Sequence, residues 1–183
     1  TLLGGIGTGS ISLGSRGQLT DFELFNHPSK GLRFPYTFFA LHAQGEGGMP
    51  FTKVLESRLT PPYSAANGLP AQQLGGLPRF LDSEMEVRFP FTRIRFLADR
   101  LPLKVTREAF NPFIPLNEGD SGIPAALIRY RGGNTSQASL EVSVAGSLYN
   151  AGGYSGQDHY GNFRNRGTPQ NQARDQDGLH GIY

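Results

Sequence analysis

Three features of the sequence predict an all-β chain, an antiparallel β-sandwich. Turn-forming residues are dense, short runs of extended character lie between them, and no long segment carries the i, i+3, i+4, i+7 apolar spacing of a helix. Of 183 residues, 25 are Gly and 13 are Pro, above average but below the share that marks wholesale disorder. Thirteen Phe and a 37% apolar content supply a core for a chain of this length without disulfides or metals.

The elements follow in order. Ser10–Leu13 and Leu19–Phe25 are extended runs joined by Gly14-Ser15-Arg16-Gly17, a hairpin signal. A period of two places Phe22 and Leu24 on one face and Asp21 and Glu23 on the other. The run from Tyr36 to Ala43 is nearly all apolar and is expected to be buried on both faces. A strand over Phe51–Arg58 precedes a Pro/Gly-rich loop over residues 59–78. Glu84–Ala98 gives two strands interrupted at Pro90, and Leu103–Phe110 gives another, with Leu103, Val105 and Ala109 on one side and Lys104, Thr106 and Glu108 on the other. Ala125–Arg131 and Ser139–Ala145 form a last pair around Gly132-Gly133-Asn134-Thr135. Residues 149–178 shift to Gly, Asn, Gln, Asp and Arg and read as one long polar loop.

Composition removes whole classes of function. Without Cys there is no disulfide scaffold, thiolate zinc site, iron–sulfur cluster or cysteine nucleophile. A net charge of +2 argues against nucleic-acid binding. No apolar run is long enough to span a membrane as a helix. The chain opens at Thr1 without a signal peptide and closes on Gly178–Tyr183, which reads as a strand without a partner. Both ends read as cut, so the sandwich is expected to be incomplete at its C-terminal edge. The compartment stays open, with a lean to the cytoplasm.

Each candidate motif has a structural reading beside its chemical one. Gly4-Gly5-Ile6-Gly7-Thr8-Gly9-Ser10 has Ser10 where a dinucleotide fingerprint needs a third Gly or Ala, and no helix follows; a tight turn is the better reading. Asp21 and Glu23, two apart on a strand, could approach the carboxyl separation of a glycosidase, as could any such pair in any sheet, and Glu108, Glu118 and Asp120 sit near strand ends. Solvated or Arg-paired carboxylates account for them better. The four His at 27, 42, 159 and 180 have no ligand spacing, so neither metal nor cofactor is expected. Tyr154, Tyr160 and Phe163 could stack on sugar rings or simply pack a long loop.

Two stretches are more specific. Leu3-Gly4-Gly5-Ile6-Gly7-Thr8-Gly9-Ser10-Ile11-Ser12-Leu13, continuing through Gly17 and Asp21-Phe22-Glu23-Leu24-Phe25-Asn26-His27-Pro28 to Lys30-Gly31, resembles the start of the N-terminal domain of glycoside hydrolase family 116. Glu108-Ala109-Phe110-Asn111-Pro112-Phe113-Ile114-Pro115-Leu116-Asn117, with Asp120-Ser121-Gly122-Ile123-Pro124, resembles a second signature of the same domain. The resemblance implies that residues 1–183 form the N-terminal β-sandwich domain of a longer retaining β-glucosidase or glucosylceramidase-type enzyme. It implies as partner a C-terminal (α/α)6 helical domain of the same polypeptide, which holds both catalytic carboxylates and the β-glucoside substrate. No catalytic residue then falls on this chain. Asp21, Glu23, Asn26 and His27, with Tyr154, Tyr160 and Phe163 after Leu148, become candidates for the domain interface or the rim of the cleft. A free-standing carbohydrate-binding module and a purely structural interaction domain are the alternatives; the lack of Trp counts against the module.

Overall fold

The computed structural model describes residues 1–46, 48–61, 74–98 and 101–182, in two units, Thr1–Ser147 and Leu148–Tyr183. In the first, β1 (Leu2–Leu3), β2 (Ser10–Leu13) and β3 (Leu19–Glu23) form a small antiparallel sheet. Then come β4 (Phe38–Gly45), β5 (Phe51–Ser57), β6 (Arg79–Phe80), β7 (Asp82–Arg88), β8 (Phe91–Leu97), β9 (Leu103–Phe110), the single turn α1 (Glu118–Ser121), β10 (Leu127–Asn134) and β11 (Leu140–Ser147). They build two four-stranded sheets, ordered β11-β4-β5-β6 and β10-β9-β8-β7. The chain is all-β, as its sequence predicts.

The core lies between these sheets. Leu41, Ala43, Leu55 and Phe80 come from one, Ile94, Phe96, Leu103, Val105 and Ala109 from the other, and Leu3 and Leu13 join from the small sheet. Strand β8 shows why: Thr92, Ile94 and Phe96 are buried while the residues between them face out, the two-residue period of a half-buried strand.

Three strand expectations need correction. Strand β4 is buried on one face only; Leu41 and Ala43 point inward, but His42 and Gln44 are exposed. Apolar composition overrode parity in that reading. The run Ala125–Arg131 does not pair with Ser139–Ala145. Strand β10 spends its ladder on β9 and β11 on β4, so their connection crosses from one sheet to the other. Strand β3 carries a bulge, with Asp21 and Phe22 opposite Ile11 alone, which breaks the simple alternation expected of it.

The second unit corrects the tail. Residues 149–178 hold β12 (Tyr154–Gln157) paired with β13 (Phe163–Asn165), and β14 (Ala173–Gln176). Strand β15 (Leu179–Ile182) pairs antiparallel with β14, so the terminal strand does have a partner. Asp177 and Gly178, both at positive φ (53° and 77°), make the two-residue turn between them. Of the loop expected over 59–78, residues 62–73 lie outside the described residues.

Candidate functional site

The two family-like stretches, about a hundred residues apart in sequence, are clamped together at one end of the sandwich. The side chain of Asn111 accepts from the Gly4 N–H (2.9 Å) and donates to the Leu2 carbonyl (3.1 Å). The Ile6 N–H donates to the Ser121 carbonyl at 2.9 Å. Ser121 in turn accepts from the Ile114 N–H and donates to its carbonyl, closing the segment on itself. Gly5 fits this clamp because a Cβ there would lie 2.5 Å from the carbonyl oxygens of Gly122 and Ile123. The glycine run is therefore a close approach of backbone to backbone.

Beside the clamp, the chain after β3 folds back as a strap. Phe34 packs edge-on against Phe22, centroids 4.9 Å apart, and both are buried. The Asp21 carboxylate accepts from the Gly31 N–H at 2.6 Å. That bond, then one from the Ser12 hydroxyl, holds its pKa below the ordinary carboxylate value. Glu23 accepts from the Ser10 hydroxyl (3.3 Å) and pairs with Lys30 (3.1 Å). Both carboxylates thus meet the same turn, residues 30–31, and anchor it. His27 is exposed, its Nδ1 3.0 Å from the Pro28 carbonyl. Phe25 and Asn26 are consecutive non-glycine residues in the left-handed region (φ 56° and 55°), a conformation that costs energy for a residue such as Phe.

An open groove of about 1110 Å³ runs between strap and clamp. Its walls include the glycine run, Glu23, Asn26, His27, Phe89 and Asn111. The fold therefore gathers Glu23, Asn26 and His27 into one groove and leaves Asp21 behind the strap. Its rim is apolar: Ile6 is 63% exposed, Phe25 70% and Phe89 69%.

Sequence reasoning missed Arg107. It occupies the inward position of β9 between Val105 and Ala109 and is 1% exposed. Its guanidinium donates to the carbonyls of Gly17 and Leu55 and lies 5.0 Å from the Tyr130 ring and 5.6 Å from the rings of Phe39 and Phe96. Burial lowers the pKa of Arg107 and pushes that of Tyr130 up to about 12. The signal was an odd residue in the apolar register of Leu103–Phe110. Glu108, facing the other way, accepts from Arg131 (2.9 Å) and Arg93 (3.2 Å). These guanidinia, Arg131 first, hold its pKa below the usual carboxylate range.

In the second unit Phe163 joins Tyr154 and Tyr149, centroids 5.8 and 5.6 Å away and rings tilted. Tyr160 is apart, against His159 with centroids 3.7 Å apart and rings tilted by 44°. The three expected aromatics therefore form no single flat platform. Among the described residues, no three His, Cys, Asp or Glu side chains converge to hold a metal ion.

No curated protein matches this chain. A family model described as beta-glucosidase 2, glycosyl-hydrolase family 116 N-term, matches residues 1–183. The motifs clamped around Gly5 and Asn111 and the all-β architecture agree with that match. The chain belongs to glycosyl-hydrolase family 116, as the N-terminal domain of a glycoside hydrolase whose catalytic domain follows it.

Proposed function

We propose that this chain is the non-catalytic half of a retaining β-glucosidase or glucosylceramidase-type enzyme and docks on its helical (α/α)6 catalytic domain through the groove end of the sandwich. The observation that carries this reading is the apolar rim of Ile6, Phe25 and Phe89 around a groove lined by the glycine run, Glu23, Asn26, His27 and Asn111. Exposed apolar clusters of this kind mark interaction surfaces. The left-handed backbone at Phe25 and Asn26 presents the Phe25 ring outward at a conformational cost, as expected where a side chain serves a partner and not its own core.

Within this reading one carboxylate of the helical domain attacks the anomeric carbon and a second first donates and then removes a proton. Asp21 and Glu23 are anchors of the strap. The β-sandwich supports the barrel and shapes one wall or rim of its sugar cleft, and the isolated chain is inactive.

In the intact parent enzyme, Phe25→Asp and Ile6→Asp should lower the melting temperature and kcat/KM on an aryl β-glucoside. Asp21→Ala, Glu23→Ala and Asn26→Ala should do so more weakly. Unchanged values for all five would remove this face as the docking surface.

A further inference from the structure

The outer face of the sheet β10-β9-β8-β7 carries two adjacent cross-strand rows. One is largely apolar, running Leu127, Phe110, Phe91, Arg88; its neighbour alternates in charge, running Arg129, Glu108, Arg93, Glu86. Between them lies a concavity of about 480 Å³, within the range of small-ligand pockets (about 300–1,000 Å³). Its floor is the pair Phe91 and Phe110, centroids 5.7 Å apart, with Phe91 60% exposed. We propose that this concavity is an ancillary saccharide site that takes a β-linked gluco-disaccharide unit, outside the catalytic domain.

The chemistry matches a pyranose better than a bare anion or an apolar partner. An all-equatorial sugar ring has a flat C–H face, which the exposed Phe91 ring can receive, and a girdle of hydroxyls that both donate and accept. Arg93 makes a hydrogen bond to Glu108, while Arg129 approaches the same carboxylate only to 3.9 Å. Each guanidinium has five N–H donors, so most remain to serve hydroxyl oxygens. Glu86 and Glu108 offer acceptors on the same row, which a sugar hydroxyl can satisfy as a donor and a free phosphate or carboxylate cannot. Glu108 is held in place by Arg93 and Arg131, a fixed geometry of the kind sugar recognition needs. The second family-like stretch divides its labour accordingly. Ala109 is in the core and Asn111 in the clamp, while Glu108 and Phe110 face this concavity.

The test is calorimetric titration of the intact parent enzyme with thiocellobiose, whose sulfur linkage resists hydrolysis. The expected result is two sites per chain. The double variant Phe91→Ala, Arg129→Ala should weaken one of them by at least about tenfold and leave the other, and kcat/KM on an aryl β-glucoside, unchanged. Both side chains lie on the surface, and a melting temperature equal to that of the parent verifies the fold; Arg129→Lys provides a milder second variant. A stoichiometry of one or less in the unmodified enzyme, or two sites indifferent to the double variant, would overturn the proposal. The groove variants Ile6→Asp and Phe25→Asp report on docking separately, so the two ideas fail independently.

Discussion

The sandwich unit and the unit after Ser147 reach defined structure by different routes. In the first, side chains from two sheets are buried together, and one charged residue, Arg107, sits fully enclosed among Phe39, Phe96 and Tyr130. Among the described residues of the second, no side chain is fully buried. Its shape comes from local polar bonds: Asp158 accepts from the N–H groups of Tyr160 and Asn162, and Asn150 from that of Gly152. Burial fixes a structure against large perturbations, whereas two-stranded hairpins stand at the margin of stability in water. The difference places the deeply buried structure in residues 1–147.

Substitutions should fall hardest where burial is deepest. Arg107→Ala removes the donor to Gly17 and Leu55 and opens a cavity among three rings; equilibrium urea unfolding should show a loss of about 3 kcal/mol or more. A loss under about 1 kcal/mol would erase the contrast between the units. Gly5→Ala, which drives a methyl into the carbonyls of Gly122 and Ile123, should cost about 1–3 kcal/mol. Asn111→Ala should cost about 1–2 kcal/mol by freeing Gly4 and Leu2.

Titration sharpens the same contrast. Tyr130, raised from 10.0 to about 12, should give a late step in an ultraviolet titration, and Tyr130→Phe should remove that step. Because the folded state holds this proton more tightly than the unfolded chain does, its contribution is intact below pH 10 and is lost as pH rises towards 12. Asp21 has the opposite sign. Its folded pKa lies below 3.8, so its contribution is present above that pH and disappears as pH falls through the folded value. Asp21→Asn should flatten this part of the acid limb of the stability profile. The smallest effect belongs to the second unit: Phe163→Ala should cost less than about 1.5 kcal/mol and alter amide shifts only around Tyr149 and Tyr154.

Much of the first unit was legible because alternation and turn chemistry agreed. Leu103–Phe110 and the hairpin at Gly14–Gly17 are cases where the period of two and the glycines point to one answer. What stayed hidden was pairing and exception. Nothing local says that β10 and β11 part to different sheets, since Gly132-Gly133-Asn134 reads as a hairpin turn, whereas the structure continues β10 through it against Val105, Lys104 and Leu103. The bulge at Asp21–Phe22 has no glycine to announce it. Arg107 was a charged residue at an inward position, which the alternation rule assigns but charge alone argues against. In the tail, Asp177-Gly178 was a readable turn signal masked by its polar surroundings. At the groove, Glu23, Asn26 and His27 were found from one compact run, whereas Phe89 and Asn111 arrive there only through the fold.

In the proposed reading these residues are support and not bond-breaking machinery. Its most direct test is an aryl β-glucoside assay on the purified 183-residue chain beside the intact parent enzyme. The prediction is turnover by the parent and none by the chain. Hydrolysis by the chain alone, abolished by Asp21→Asn, Glu23→Gln or Glu108→Gln, would contradict it.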